Sequence, residues 1–298
     1  MALGSGLPAV GTDAMASLDR LIGNTPLVPL RRVVSRVGAQ VLVKLEYFNP
    51  GGSVKDRPAR EIIRAAERDG RLHGGVTLLD ASSGNTGIAY AMLCAARGYR
   101  CEICLPGNAS AERRKLLRAY GAGVVDTDPL AGSDGAILEA RHRAAEAPDQ
   151  YFYADQYNNP ENPRAHYRHT GAEIWTQTHG GVTHFVAALG TSGTFVGTGR
   201  RLREYSGAVR LIAVQPDSPL HGIEGTKHMA SAIVPGIYDP ALADATIVVA
   251  TEEAQAMTRR LAREEGLLAG VSGGANVAAA VRVAATLGAD DMVVTLLP

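Results

Sequence analysis

The sequence contains very little lysine. Of its 30 basic residues, 26 are arginine and only Lys44, Lys55, Lys115 and Lys227 are lysine. Arginine serves most surface and ion-pair roles, but it cannot lose its proton and act as an amine nucleophile. A lysine that persists in such a chain therefore invites a chemical explanation. Lys55 is the clearest case, because it lies in the turn-forming stretch NPGGSVKDRP (49–58). The competing interpretation is an ordinary solvated loop lysine.

Charge excess and long apolar runs are also missing. The formal net charge is zero, so electrostatics give no reason to expect a nucleic-acid or membrane partner. No apolar run is long enough to span a bilayer, and residues 1–17 lack the basic start of a secretory signal. Three cysteines do not make a disulfide framework. Together these absences predict a cytoplasmic protein.

A metal site is not predicted either. Cys101 and Cys104 form a C-x-x-C pattern, but the stretch RCEICLP has the apolar character of a short buried strand. A zinc site would need further ligands at matching spacing, and neither cysteines nor the scattered histidines supply them.

What the sequence does contain is a regular alternation of short apolar runs and longer helical patterns. The runs predict strands at 41–48, 76–81, 101–106, 123–127, 183–189, 209–216, 245–250 and 292–297. The helical patterns lie at 61–70, 86–98, 110–121, 133–146, 196–205 and 251–266. This alternation predicts an α/β fold of mainly parallel, twisted sheets flanked by helices, and 298 residues suffice for two lobes. The Asn- and Pro-rich stretch 154–166 suits a connector between them.

In such folds ligands bind at the carboxyl ends of the strands, where loops lead into helices. The first such loop carries Lys55. Ser53 can cap the following helix, Asp56 favours its first turn, and Pro58 is tolerated only near a helix start. A lysine at a helix N-terminus has a lowered pKa, which suits the formation of a Schiff base.

Three further loops are chemically unusual. ASSGNTG (81–87) offers hydroxyl groups and helix-start N–H groups that could hold a carboxylate, although a capped turn would look the same. GTSGT (190–194) suits a phosphate monoester but lacks the lysine of a nucleotide-binding P-loop. GVSGGA (270–275) has a single hydroxyl, Ser272, for which a helix N-cap is the alternative.

Together these loops resemble the fold-type II pyridoxal-phosphate enzymes, specifically the cysteine synthase family and most closely cysteine synthase B and its O-phosphoserine-using relatives. The resemblance runs from IGNTPLV (22–28) to the end of the chain and includes ERRKLL (112–117) and DQYNNPENP (155–163). It implies that Lys55 forms the internal aldimine with pyridoxal phosphate and then carries the α-proton of the substrate. Asn85 would face the ring hydroxyl, and Ser272 would face the pyridine nitrogen.

The resemblance also implies the remaining binding residues. The phosphate cup would consist of Gly190, Thr191, Ser192, Gly193 and Thr194. The substrate α-carboxylate would be held by Ser82, Ser83, Gly84, Thr86 and Gln156. A smaller lobe (49–157) would carry the carboxylate loop, and a larger lobe (1–48 with 158–298) would carry the phosphate cup.

The implied reaction is a β-replacement that makes L-cysteine from O-acetylserine or O-phosphoserine through an aminoacrylate. Lys227 stands where the phosphoserine-using branch has an arginine, so it is a candidate reader of that phosphate, or else a solvated loop lysine. The implied partners are small-molecule substrates, a possible sulfur-carrier protein and a second copy in a homodimer. The alternatives are cystathionine β-synthase, a diaminopropionate-type synthase with an amine nucleophile, and a pseudoenzyme that binds the cofactor and docks a partner.

Overall fold

The structure, a computed structural model, describes residues 18–34 and 38–298. The expectation about residues 1–17 lies outside the described residues. The chain forms β1 (Leu27–Pro29), β2 (Gln40–Leu45), β3 (Thr77–Ala81), β4 (Arg100–Pro106), β5 (Gly123–Thr127), β6 (Tyr151–Tyr153), β7 (His184–Ala188), β8 (Arg210–Pro216), β9 (Ala245–Val249) and β10 (Met292–Leu297).

Each of the six predicted helical patterns overlaps a helix, and three further α-helices of the described residues, at 161–165, 171–177 and 271–284, lie outside those patterns. The helices are α1 (Asp56–Arg68), α2 (Asn85–Arg97), α3 (Ala111–Ala119), α4 (Gly132–Glu146), α5 (Glu161–Ala165), α6 (Gly171–Gln177), α7 (Gly193–Tyr205), α8 (Thr251–Arg260) and α9 (Val271–Ala284). A π-helical turn, His166–Thr170, joins α5 to α6, and another, Leu261–Glu265, follows α8. Within the described residues, no helix has the length and apolar character needed to cross a membrane.

The larger of the two sheets has the strand order β1-β2-β10-β7-β8-β9. Its strands are parallel except β1, which runs antiparallel to β2 at the edge. Strand β10 is apolar except for Thr295, whose hydroxyl donates to the Val186 carbonyl, because the strand lies in the middle of the sheet and is covered on both faces. One face packs against α8 and α9, and the other packs against α6 and α7.

The smaller sheet is fully parallel, with the order β5-β4-β3-β6. Apolar residues of α1 and α2, including Ile62 and Leu93, pack on one face, and Ile137 of α4 packs on the other. The prediction of an α/β fold with parallel sheets flanked by helices is therefore confirmed. The lobe boundaries at residues 49 and 157 stay a prediction.

Each sheet has a topological switch point, where the connections of two neighbouring strands run toward opposite edges of the sheet. It lies between β3 and β6 in the smaller sheet and between β7 and β10 in the larger sheet. Such points open a crevice at the carboxyl ends of the strands. The loop 81–87 follows β3, Gln156 follows β6, and the loop 190–194 follows β7. The sequence order thus brings three of the predicted binding segments to the two crevices.

The connector predicted at 154–166 is only partly irregular. The chain has no regular structure from 154 to 160, but α5 begins at Glu161. The residue before α5 is Pro160, and proline is tolerated at a helix start because its missing N–H has no partner to lose there.

Candidate active site

One cleft of about 150 Å³ collects the predicted site residues. Its lining includes Lys55, Ser82, Ser83, Gly84, Asn85, Thr86, Gln156, Gly190, Thr191, Ser192, Thr194, Lys227 and Ser272. Gly193 alone of the predicted set is not part of the lining, because it lies beneath the loop against Asn162. The structure thus brings together residues that are more than 200 positions apart in the sequence.

Lys55 lies at the base of this cleft, directly before α1. The side chain is half-buried, and its ammonium group has no hydrogen bond or ion pair to any described residue. Desolvation by burial lowers its pKa to about 8, against an opposing effect of the Glu46 carboxylate. Ser53 does not cap α1 as expected: the N-cap position is Lys55 itself, and Ser53 Oγ accepts the Lys55 backbone N–H at 3.2 Å. A neutral amine is therefore available near neutral pH.

A buried ion network lies behind Lys55 and fixes the start of α1. Arg57 is fully buried between Glu46 (Nε–Oε2 2.6 Å) and Glu173 (Nη1–Oε1 2.7 Å). Lys44 adds a second bond to Glu173 at 2.8 Å. Burial alone would raise the pKa of Glu173, but the hydrogen bonds and charges of Arg57 and Lys44 lower it to about 2. Two positive and two negative charges compensate one another within the network, and at Lys55 the remaining effect is that of Glu46, which only partly offsets the lowering of the pKa by burial.

The conformation of the loop after β3 is fixed by hydrogen bonds of its side chains and of Gln156. Ser82 Oγ accepts the backbone N–H groups of Gly84 and Gly87, both at 3.0 Å. Thr86 Oγ1 donates to Gln156 Oε1 at 2.8 Å, and Gln156 Nε2 donates to the Ala81 carbonyl at 2.6 Å. Ser83 and Asn85 are exposed to the cleft at the start of α2. Free helix-start N–H groups and hydroxyls in this arrangement suit a carboxylate.

The loop after β7 has the features of an anion cup. Ser192 adopts a left-handed backbone conformation (φ 68°) at the N-cap of α7. Its side chain is 2% exposed, and within the described part of the chain its hydroxyl has no hydrogen-bond partner. A buried hydroxyl without a partner is costly, so a ligand oxygen at this place would satisfy it. The helix N-terminus favours the same ligand through its dipole.

The glycines of this cup are required by close packing. A Cβ on Gly190 would lie 2.2 Å from the Gly225 carbonyl oxygen, and a Cβ on Gly193 would lie 1.9 Å from Asn162 Oδ1. Asn162 also donates to Thr191 Oγ1 at 3.1 Å. The residues present therefore fit a phosphate group.

Ser272 faces the same cleft from the first turn of α9. The N-cap of α9 is Gly270, so the alternative in which Ser272 caps the helix does not hold. One turn later, Asn276 accepts the Ala188 N–H at 2.7 Å and donates to the Leu296 carbonyl at 3.0 Å. Asn276 thus ties α9 to β7 and β10 and sets the height of Ser272 in the cleft.

Lys227 lines the cleft but does not present a free charge. Its side chain is 6% exposed, and its ammonium group pairs with Asp134 Oδ1 at 2.7 Å, over the ring of Tyr157. Asp134 belongs to the first turn of α4, beside the smaller sheet. The solvated-lysine interpretation is therefore wrong, and the phosphate-reading role of Lys227 stays a prediction.

Arg113 and Glu224 form a second ion pair on this side of the cleft. Arg113 also donates to the Ser83 carbonyl at 3.4 Å. Sequence reasoning gave no role to Arg113, Glu224, Asn162 or Asn276. Arg113 and Asn162 lie inside the quoted stretches ERRKLL and DQYNNPENP, so their motifs were a usable signal. Glu224 and Asn276 carry no local signal, because only tertiary packing brings them to the site.

Comparison with known proteins agrees with this geometry. A family model described as "Pyridoxal-phosphate dependent enzyme" matches residues 18–298. The fold and the lysine-centred cleft thus define a pyridoxal-phosphate-dependent enzyme. The chain is 47% identical over 291 residues to a cysteine synthase of Aquifex aeolicus, with 96% of this chain and 89% of that protein covered. It is 44% identical over 270 residues to cysteine synthase B of Escherichia coli, with 91% and 88% covered.

A solved structure of an O-ureido-L-serine synthase superposes with a TM-score of 0.89 at 40% identity, covering 95% of this chain and 91% of that one. The chain belongs to the pyridoxal-phosphate-dependent enzymes and, within them, to the cysteine synthase family. The predicted family and cofactor are confirmed.

Proposed function

We propose that this protein is a cysteine synthase that replaces the β-substituent of an O-activated serine by sulfur. One observation carries the proposal. A half-buried lysine whose pKa is lowered to about 8 faces both a carboxylate-type loop and an anion cup with an unsatisfied buried hydroxyl across a single cleft. Similarity to the two cysteine synthases supports the same reaction.

Different residues would bind different parts of the cofactor. Gly190, Thr191, Ser192, Gly193 and Thr194 would hold the cofactor phosphate, Asn85 its ring hydroxyl and Ser272 its ring nitrogen. When bound, pyridoxal phosphate supplies an electron-withdrawing ring that stabilises negative charge at the α-carbon of the substrate. A serine at the ring nitrogen does not enforce protonation there, which suits β-replacement more than transamination.

The substrate would be oriented by the loop after β3. Ser82, Ser83, Gly84 and Thr86 would bind its α-carboxylate, with Gln156 closing the site. Lys55 Nζ, partly neutral near pH 7 because of its lowered pKa, would take the α-proton and later return it. The bound carboxylate would then contact the loop that follows β3 of the smaller sheet. The other wall of the same cleft is formed by residues that follow strands of the larger sheet.

The charges at the cleft favour a substrate whose ester group is uncharged before it leaves. Lys227 and Arg113 are each paired with a carboxylate, Asp134 and Glu224, so the two pairs add no net charge. A phosphate dianion would have to compete with those carboxylates for the same donors. O-acetylserine is therefore supported better than O-phosphoserine.

The proposal is tested by incubating the cofactor-loaded protein with sulfide and either ester, and by following cysteine together with the cofactor absorbance. We expect cysteine from O-acetylserine, and none from a Lys55→Ala variant. Absence of cysteine with both esters, from a protein that holds the cofactor, would refute the function.

A second candidate is β-replacement with another nucleophile. Similarity to an O-ureido-L-serine synthase supports it. Replacing sulfide by an oxygen nucleophile that carries a ureido group, or by an amine, separates it from cysteine synthesis. A higher kcat/KM with one of these than with sulfide would favour the second candidate.

We also propose two lobes (49–157, and 1–48 with 158–298) that approach each other when a substrate carboxylate binds. A homodimer, a cytoplasmic location and sulfur delivery by a carrier protein are further proposals that rest on family membership and composition. Equilibrium sedimentation that finds only monomer at working concentration would contradict the homodimer.

A further inference from the structure

Asp80 is a buried carboxyl group beneath the substrate loop. It is the penultimate residue of β3 and is fully buried. Burial raises its pKa to about 8 despite hydrogen bonds from two backbone N–H groups. A carboxyl group in the centre of a parallel sheet is costly unless its hydrogen bonds are made, so this position calls for an explanation other than packing.

The contacts of Asp80 join two strands at the switch point of the smaller sheet. Regular pairing between β3 and β6 ends where the Ala154 N–H donates to the Leu79 carbonyl at 2.9 Å. Beyond that bond, the Asp80 side chain provides the hydrogen bonds that join the two strands. Oδ2 accepts the Gln156 N–H at 3.2 Å, and Oδ1 accepts the Ala81 N–H at 2.8 Å.

These two bonds set the place of the Gln156 amide. That side chain, 3% exposed, donates to the Ala81 carbonyl and accepts from Thr86 Oγ1. Asp80, Gln156 and Thr86 therefore form one chain of hydrogen bonds from the core of the sheet to the wall of the cleft. Asp80 itself is not among the lining residues.

We propose that Asp80 is a positioning residue for recognition of the substrate α-carboxylate: its carboxyl group clamps the ends of β3 and β6 and thereby fixes Gln156 and Thr86. The inference rests on the proposed function. Asp80 does not line the cleft, so it would act through Gln156 and Thr86. The Gln156 carbonyl also accepts a hydrogen bond from Asn162, which donates to Thr191 of the anion cup, so cofactor affinity is measured alongside substrate affinity.

The test compares the wild type with Asp80→Asn. The substituted amide has nearly the same shape, but its NH2 group cannot accept a hydrogen bond, whereas both oxygens of the carboxyl group accept one from a backbone N–H. We expect the dissociation constant for L-serine, followed by the absorbance of the bound cofactor, to rise about tenfold. The dissociation constant for L-serinamide, which lacks the carboxylate, should change less than twofold. Asp149→Asn, at an exposed position before β6 and outside the cleft lining, is the matched control and should leave both constants unchanged.

Asp80→Ala removes the carboxyl group without introducing a donor and should show the same selective loss. Retention of the wild-type ratio of the two constants by either folded variant would overturn the inference, as would an equal loss of cofactor affinity. If the wild type itself does not prefer L-serine to L-serinamide, the assignment of the carboxylate loop fails, and the role of Asp80 fails with it.

Discussion

Replacing Asp134 by a neutral residue is the most direct test of how charged side chains in this cleft affect the choice between a charged and an uncharged ester. Asp134 accepts the Lys227 ammonium group at Oδ1 (2.7 Å) and the Ile233 N–H at Oδ2 (2.9 Å). Asp134→Asn keeps a side-chain oxygen for one of these donors and removes the negative charge. The backbone of Lys227 should stay in place, because its N–H donates to the Leu189 carbonyl at 2.8 Å. The ammonium group would then line the cleft without a charged partner.

The size of the effect follows from the strength of a hydrogen bond to a charged group. Such a bond contributes about 1.5–3 kcal/mol, which corresponds to roughly ten- to a hundredfold in kcat/KM. We therefore expect Asp134→Asn to raise kcat/KM for O-phosphoserine about tenfold and to change that for O-acetylserine by less than about threefold. Loss of the ion pair should also lower the free energy of unfolding by about 1–3 kcal/mol, because Lys227 is only 6% exposed.

The assay measures both esters with sulfide, for the wild type, Asp134→Asn, Lys227→Met and the double variant. Glu139→Gln is the control, since Glu139 lies on the same helix and pairs with Arg143 (2.7 Å) away from the cleft. If Lys227 reads the phosphate, the gain of Asp134→Asn should disappear in the double variant. An unchanged ester ratio in folded Asp134→Asn would refute the reasoning and leave Lys227 a structural role only.

Three further predictions concern the cofactor site and its support. The rate at which apoprotein captures pyridoxal phosphate should rise about tenfold between pH 7 and 9 and level off above about pH 9, because the neutral fraction of Lys55 rises through its pKa of about 8; a rise that continues past pH 10 would contradict that pKa. Gly193→Ala should weaken cofactor binding in equilibrium dialysis, whereas Gly207→Ala, with open space around its Cβ, should not; equal affinities would contradict the packing argument. Arg57→Met should lower the free energy of urea unfolding by about 3–5 kcal/mol by leaving the buried Glu46 without its cationic partner and Glu173 with Lys44 alone, and Arg68→Met on the exposed side of α1 should change it by less than about 0.5 kcal/mol; similar losses would show that burial does not matter there.

The sequence was most informative where hydrophobic patterns are long. All eight predicted strands are present, because buried parallel strands are continuous apolar runs that stand out from their surroundings. Two strands were missed, β1 and β6. Each has only three residues, too few for a pattern to develop, and β1 is also an antiparallel edge strand. Helix α5 was missed because its Asn and Pro residues are typical of a turn.

The candidate site was predictable to the extent that it is built from loops with local chemistry. Glycine, hydroxyl residues and one lysine at helix starts are visible in the sequence, and topology brings them together. Partners that come from a distant part of the chain were not predictable. Asp134 is 93 positions from Lys227, and Glu224 is 111 positions from Arg113. No periodicity links such residues. The sequence therefore shows that a cation is present, but it does not show which carboxylate pairs with that cation and neutralises its charge.

That difference bears directly on specificity. A lysine or arginine at a cleft counts as an anion-binding residue only if no carboxylate already occupies its donors. Here each ion pair joins the two sheets. Lys227 follows β8 of the larger sheet and meets Asp134 of α4, whereas Arg113 of α3, beside the smaller sheet, meets Glu224, which follows β8. Any movement of the two sheets relative to each other would lengthen or shorten these pairs. If the lobes close on the substrate as proposed, the charge that a bound ester experiences would depend on that closure as well as on the residues that line the cleft, and a substrate that drives closure would also hold together the pairs that exclude a dianion.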